Sequence, residues 1–243
     1  MISADYKRTS VYSGTEKTEP KFMFVWLCDQ LEALGVLPTR LLDVGCASGD
    51  FLQYAQQRYP AAHCEGLEYD VELVQLARQR TANLAVHQGD ANHMTSVPDN
   101  TFDAVFLTGV HSIFDDFRPS FSECVRVAKS GGVVLITGLF NDYPLDARIQ
   151  WRYAEHFEAP WHPGYNLFSK QSVGAFLQGV QGVKHFSFEK FALPFDLPPQ
   201  TDPVRSWTEP GADGQRTLRN GIMPLPLELL MIQVAKKEDA HGE

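Results

Sequence analysis

Leu41-Leu42-Asp43-Val44-Gly45-Cys46-Ala47-Ser48-Gly49-Asp50-Phe51-Leu52 runs from a short apolar strand, through a turn with glycines at 45 and 49, into the opening of a helix. A strand, a tight glycine turn and a helix N-terminus together form a place where a nucleotide-like ligand approaches bare backbone. Gly45 and Gly49 lack a Cβ, so the turn can take unusual dihedrals and a ligand can sit close. A dinucleotide fingerprint asks for Gly-x-Gly-x-x-Gly. Here Ala47 holds the second place and Asp50 the third. Asp43 stands two residues before the first glycine, and a carboxylate there suits a ligand with positive charge better than a pyrophosphate.

Working outward, strand and helix patterns alternate. Phe22 to Leu34 has helical spacing, with Gly35 as its C-cap. Arg40 to Val44 reads as a strand, Gly49 to Tyr59 as a helix stopped by Pro60, and His63 to Glu68 as a second strand. Asp70 to Arg80 is a helix whose apolar stripe is Val71, Leu73, Val74, Leu76 and Ala77. Leu84 to Gln88 and Phe102 to Leu107 are the third and fourth strands. Asp115 to Ala128 is a helix burying Phe117, Phe121, Cys124, Val125 and Ala128, and Val133 to Thr137 is the next strand. Such alternation predicts an α/β, doubly wound, mostly parallel sheet with helices on both faces. After residue 138 the pattern loosens. Ser169 to Gln178 reads as a helix, and Val183 to Phe191 and Pro226 to Val234 as strands. The segments 141–168, rich in aromatic residues, and 192–224 read as inserted pieces that line or cover a site.

The chain of 243 residues is expected to be a single domain (1–243): an N-terminal arm and helix (1–35), a ligand-binding core (36–138) and the two insertions as a substrate lid. A formal net charge of −9 speaks against a broad nucleic-acid or anionic-membrane face. Met1 to Ser10 lacks the apolar stretch of a signal peptide. Runs such as Val133 to Ile136 fall far below the roughly 18 residues of a membrane span. Cys28, Cys46, Cys64 and Cys124 show no Cys-x-x-Cys pairing and read as reduced, buried thiols of a cytoplasmic protein with no metal site.

Ligands of open α/β sheets bind beyond the C-terminal strand ends. There stand Glu68, 23 residues after Gly45, where an acid can bond both ribose hydroxyls, and Gln88-Gly89-Asp90-Ala91, where a carboxylate can accept from an adenine amino group. The fourth strand ends in Thr108-Gly109-Val110-His111. Taken with Ser96-Val97-Pro98-Asp99-Asn100-Thr101-Phe102-Asp103 and Lys129-Ser130-Gly131-Gly132, these elements resemble, in order and spacing over residues 36–138, the motifs of class I S-adenosylmethionine (SAM)-dependent methyltransferases of the small-molecule branch. The acid-x-Gly-x-(Gly/Ala)-x-Gly turn resembles their motif I, with Ala47 in place of the middle glycine. The resemblance implies a seven-stranded Rossmann-like sheet ending in an antiparallel hairpin, SAM as cofactor and a small-molecule methyl acceptor. It implies that Asp43, Gly45 and Gly49 hold the methionine moiety, Glu68 the ribose, and Asp90 with Ala91 the adenine. Cys46, Ala47, Tyr69 and Thr108 complete the expected cofactor set. Tyr6 and Tyr12 are lid candidates on an arm that often folds over the cofactor in such proteins.

Methyl transfer from a sulfonium is an in-line displacement by a lone pair, most readily of O or N, for which alignment and exclusion of water supply much of the acceleration. A base is needed only when the acceptor arrives protonated. His111 is the candidate because it follows strand four, a pocket-wall role being the other reading. Trp151, Arg152, Trp161 and Tyr165 are the acceptor-side candidates, with His156, His162, Arg205 and Trp207 nearby in sequence. His156 and His162 lack the spacing of metal ligands on one helix face. Three readings stay open beside this one: an NAD(P)-dependent oxidoreductase, a non-catalytic SAM-binding protein, and an enzyme that modifies the SAM methyl itself. The absence of an Asn/Asp-Pro-Pro-(Tyr/Phe) segment after strand four argues against nucleic-acid methylation.

Overall fold

The computed structural model describes residues 19–81, 84–199, 201, 205–211, 214–219 and 227–235. Tyr6 and Tyr12 and parts of the 192–224 insertion lie outside them. In chain order come α1 (Phe22–Ala33), β1 (Arg40–Val44), α2 (Asp50–Arg58), β2 (His63–Glu68), α3 (Val71–Arg80), β3 (Ala85–Gln88) and β4 (Phe102–Thr108). A short 3-10 turn, His111–Ile113, precedes α4 (Arg118–Val127) and β5 (Ala128–Asn141). Then follow β6 (Gln150–Trp151), β7 (His162–Pro163), β8 (Phe168–Ser169), α5 (Lys170–Gln178) and β9 (Val183–Lys190). The last elements are β10 (Trp207–Pro210), β11 (Arg216–Arg219) and β12 (Leu227–Val234).

The main sheet has the strand order β3-β2-β1-β4-β5-β12-β9, with β8 added beside the end of β5 as an eighth, two-residue strand. β1 to β5 run parallel, and β12 is antiparallel to both β5 and β9. The expected doubly wound sheet and its terminal antiparallel pair are both present. The order reverses between β1 and β4, so the crevice of an open α/β sheet opens at the carboxyl ends of those strands.

Alternation along the strands divides the core into two layers. Leu42, Val44, Val105, Leu107, Val134 and Ile136 pack with Phe121, Cys124, Val173 and Leu177 of α4 and α5. Leu41, Ala104, Phe106, Val133 and Leu135 pack with Leu27, Leu31, Leu52, Ala55, Val74 and Ala77 of α1, α2 and α3. All four cysteines are buried and free. No helix among the described residues is long and apolar enough to cross a membrane.

Three local readings are corrected. Helix α4 starts at Arg118 rather than Asp115, because the Asp116 carboxylate accepts the Arg118 N–H at 3.0 Å and Pro119 lies in the first turn. Strand β5 begins at Ala128, five residues before the expected Val133, and enters the sheet through a register shift opposite Phe102 and Ala104. A Cβ on Gly132 would stand 3.0 Å from the Asp103 and Lys129 carbonyls, so glycine lets the two backbones cross there. Val71 is exposed; the buried stripe of α3 is Leu73, Val74 and Ala77.

Candidate active site

The turn after β1 places three residues in the left-handed region: Gly45 (φ 75°), Ala47 (φ 48°) and Gly49 (φ 82°). The middle position therefore demands more than a small side chain; it demands a conformation that costs an alanine about 1–2 kcal/mol. The two glycines leave room for the protein itself. A Cβ on Gly45 would meet Val110 Cγ2 at 2.5 Å, and one on Gly49 would meet Thr81 Cγ2 at 2.8 Å. The unusual dihedrals expected of both glycines are present, and the protein's own side chains crowd the space beside them. Cys46 is buried, its Sγ lying 2.7 Å from where a Cβ on Gly66 would stand. Burial pushes its thiol far up, so it is an inert packing group.

Around this turn stand two carboxylates. Asp43 lies on β1, 3% exposed, beside Gly66 of β2 and Phe106 of β4. Burial, and then the charge of Glu68, raise its carboxyl to about 7. Glu68 ends β2 and holds the turns together. Its Oε2 accepts the Ala47 N–H at 2.9 Å, and its Oε1 accepts the Tyr69 and Asp70 N–H groups at 2.8 and 2.9 Å. Burial raises Glu68 too, opposed by those three donors and aided by the charge of Asp70. No arginine or lysine among the described residues forms an ion pair with either acid. Two buried carboxylates without a cation make a local negative site whose chemistry suits a positively charged or hydroxyl-bearing ligand.

The remaining cofactor candidates line the same strand ends. Tyr69 follows Glu68 and is half exposed. Asp90 closes a turn on itself, its Oδ1 accepting the Asn92 N–H at 2.8 Å and Nδ2–H at 3.1 Å, which leaves Oδ2 for another donor. Ala91 is buried beside it. Thr108 ends β4 with its hydroxyl buried and unpartnered, and in register next to it Thr137 of β5 has the same deficit. Sequence reasoning named Thr108 and missed Thr137, whose signal was a hydroxyl interrupting the apolar run of β5.

His111 is not where a base facing the crevice should be. It is fully buried, its ring stacked on Phe140 at 4.7 Å with the planes 12° apart. Nε2 lies 3.4 Å from the Leu139 carbonyl, and Nδ1 is buried without a partner against Gly138. A Cβ on Gly138 would come within 2.7 Å of that Nδ1, so the strand carries glycine because the imidazole occupies its side-chain space. Burial, against the weak pull of the Leu139 carbonyl, lowers the imidazole to about 4. The ring is a neutral packing group in this conformation. An isolated glycine inside a strand was the signal for that close approach.

On the acceptor side, three of the four candidates gather on one hairpin, β6–β7. Trp151 packs on Tyr153 and His162, with ring centroids 5.5 and 4.9 Å apart. Arg152 lies between Phe157 and Trp161. Tyr165 stands at the base of the hairpin with φ 60°. Asn166, buried and unremarked in the sequence, fastens that base to the segment after β4. Its N–H and Nδ2–H donate to the Ser112 and Phe114 carbonyls at 2.7 and 2.8 Å, and its Oδ1 accepts the Ile149 N–H at 2.8 Å. His156 is exposed and faces Glu155. Trp207 sits apart on the β10–β11 hairpin, where its Nε1–H donates to Glu209 at 3.2 Å. Among the described residues no group of His, Cys, Asp or Glu is arranged to hold a metal.

This strand order, with a glycine turn after β1 and acids ending β1 and β2, is the class I methyltransferase fold. A SAM-bound amino pentose methyltransferase from Micromonospora echinaspora superposes with a TM-score of 0.56 at 18% identity, covering 93% of this chain and 95% of that one. A SAM-dependent methyltransferase from Methanosarcina mazei gives 0.61 at 12% identity, covering 86% and 98%. Residues 42–136 match the family model described as a methyltransferase domain. By sequence the chain is 31% identical over 109 residues to the demethylmenaquinone methyltransferase of Deinococcus radiodurans, covering 43% of this chain and 45% of the relative. It is 32% identical over 100 residues to a fatty-acid O-methyltransferase of Mycolicibacterium smegmatis, covering 40% and 36%. The chain thus spans less than half the length of these two relatives. Residues 42–136 thus match a methyltransferase domain, on a fold shared with SAM-dependent methyltransferases.

Proposed function

We propose that the chain is an enzyme that transfers a methyl group from SAM to an O or N nucleophile of a small-molecule acceptor. The observation that carries this reading is the pair of buried carboxylates, Asp43 and Glu68, set around the left-handed turn with no cation of their own. Bound SAM supplies an electrophilic methyl on a sulfonium beside an α-ammonium group. In this reading Asp43 faces the cationic methionine end, and Glu68 accepts from the ribose hydroxyls through its uncommitted lone pairs. Asp90 Oδ2 and the Ala91 backbone take the adenine, with Tyr69 beside it, and Thr108 closes the floor of the site. His111 fixes the turn after β4 against Gly138 and takes no proton, so an O–H acceptor loses its proton to solvent or arrives ionised. In this reading the insertions 141–168 and 192–224 serve as a substrate lid over a core of 36–138, and 1–35 is an N-terminal arm and helix.

Relatives that act on demethylmenaquinone, fatty acids and malonyl-acyl carrier protein support a small organic acceptor for this chain as well. The net charge of −9 favours no nucleic-acid or membrane partner, and four reduced, buried cysteines fit a cytoplasmic location. The test is calorimetric titration with S-adenosylhomocysteine and, in parallel, NADH. Micromolar binding of the first, about −8 kcal/mol, with none of the second is expected. NADH binding alone, or neither, overturns the reading.

A further inference from the structure

Arg152 is the described arginine whose guanidinium is held between two aromatic rings. Arg40, Arg58, Arg80, Arg118, Arg126 and Arg216 each pair with a carboxylate at 2.5–3.2 Å. Among the described residues Arg152 has no such ion pair, and neither do Arg78, which donates to the Val86 carbonyl, Arg148 and Arg205. Glu155, three residues along, faces His156 at 3.7 Å instead, and no carboxylate among the described residues pairs with Arg152.

Its cation is nevertheless held in place. The guanidinium carbon lies 4.5 Å from the centre of the Phe157 ring and 4.6 Å from that of Trp161, and one Nη–H donates to the Phe157 carbonyl. Two aromatic faces and one carbonyl fix the plane of the fork and leave its other donors without an acceptor among the described residues. Both rings are exposed, Phe157 at 70% and Trp161 at 54%, so the sandwich spends two large apolar side chains at the surface on holding one cation. Trp151, the preceding residue, has its Nε1–H buried with no acceptor either. The hairpin that carries these donors is rooted through Asn166 to Ser112 and Phe114, beside the end of β4. A rigid, planar, unsatisfied guanidinium is the group that recognises an oxyanion through two parallel hydrogen bonds.

We infer that the Arg152 tip is the recognition point for a carboxylate on the methyl acceptor, a conclusion that rests on the methyltransferase reading. One negative charge is the match. Residues 150–163 contain no second arginine and no lysine, and Glu155 and Glu158 on the same tip repel a dianionic phosphate. The exposed ring faces flanking the fork cover an apolar body attached to that carboxylate.

The test titrates benzoate, benzamide and phenyl phosphate into the S-adenosylhomocysteine-loaded protein by ligand-observed NMR. It compares the natural chain with Arg152→Gln and Arg152→Lys, after thermal melting has checked that both variants are folded. Benzoate is expected to bind more tightly than the other two and to lose at least tenfold in affinity in Arg152→Gln. Arg152→Lys, which keeps the charge and loses the fork, falls between. Equal binding of benzoate and benzamide, or a benzoate affinity indifferent to Arg152→Gln, overturns the inference. Tighter binding of phenyl phosphate overturns the carboxylate in favour of phosphate. Failure of S-adenosylhomocysteine to bind the natural chain is read separately and sinks the methyltransferase reading itself.

Discussion

Asp103 and Asp43 lie on neighbouring strands, one near the amino end of β4 and the other near the carboxyl end of β1, and the sheet treats them oppositely. Asp103 is saturated. Its Oδ2 accepts the N–H groups of Thr39 and Arg40 and the Thr39 hydroxyl at 2.6–2.8 Å, and Lys129 donates to its Oδ1 at 2.7 Å. Burial alone pushes its carboxyl up, but Lys129 and the Thr39 and Arg40 donors outweigh that and bring it to about 2. Asp43 has no such partners, and its carboxyl rises to about 7. The same side chain is a structural clamp where its charge is answered within the fold and, in the proposed function, a binding group where it is not. At one end the charge stabilises the protein; at the other it costs stability until a ligand arrives.

The largest expected effect tests the clamp. Asp103→Ala strips a part-buried site of its acceptor and leaves two backbone N–H groups and Lys129 unanswered, a loss of about 3 kcal/mol in unfolding free energy. Urea unfolding at neutral pH measures it. S-adenosylhomocysteine affinity, taken well below the variant's melting temperature, should stay within twofold of the natural chain. A loss of stability under about 1 kcal/mol removes Asp103 from its role.

Asp43→Asn should move both quantities the other way. With an uncompensated buried charge removed, unfolding free energy at pH 8 is expected to rise by about 2 kcal/mol. Affinity for S-adenosylhomocysteine should fall at least tenfold, about 1.4 kcal/mol. A variant that loses stability and keeps its affinity makes Asp43 a second clamp and ends the contrast.

The two carboxyls also predict opposite pH slopes. Asp103 is depressed from an unfolded value of about 3.9, so its contribution is present above that value and disappears as pH falls toward about 2. Asp43 is raised, so the folded state retains a proton the unfolded chain has released, and stability falls as pH climbs from about 4 to about 7. Unfolding free energies across about pH 2–8 should therefore show the acid limb flattened in Asp103→Asn and the mid-range decline flattened in Asp43→Asn. Each slope is at most about 1.4 kcal/mol per pH unit. Identical profiles for the two variants and the natural chain contradict both assignments.

Most of the fold was legible because its periodicity is local. The apolar spacing of Phe117, Phe121, Cys124 and Val125 depends only on facing the sheet, and all four are buried there. The carboxylates at 43, 68 and 90 were legible because strand ends fix where they stand. What escaped was decided across the chain. His111 looked available for chemistry from its place after β4, yet Gly138, 27 residues on, offers its side-chain space to the imidazole and draws it into the core. Asn166 clasps Ser112 and Phe114 through three-dimensional geometry that no spacing rule encodes. Asp103 read as part of a motif shared with the cofactor residues, although it stands at the opposite end of the sheet and serves the fold.

The smallest effect sharpens the comparison at the turn itself. Ala47 sits at φ 48°, between glycines at 75° and 82°, and its N–H is what Glu68 Oε2 accepts at 2.9 Å. The left-handed conformation costs alanine about 1–2 kcal/mol, and the extra freedom that glycine gives the unfolded chain offsets about 0.5–1 kcal/mol of that. Ala47→Gly should thus raise unfolding free energy by about 0.5 kcal/mol, or about 1–2 °C in melting temperature, with S-adenosylhomocysteine affinity unchanged because the donated hydrogen bond survives. Gly45→Ala and Gly49→Ala should each lower stability by more than that gain, since their added Cβ meets Val110 at 2.5 Å and Thr81 at 2.8 Å besides adopting the strained conformation. A melting temperature that falls in Ala47→Gly means the alanine is held there by contacts that outweigh its strain. The turn would then be braced by packing at all three positions, as the clamp at Asp103 is braced by hydrogen bonds, and only Asp43 and Glu68 would remain to separate the binding end of the sheet from the structural one.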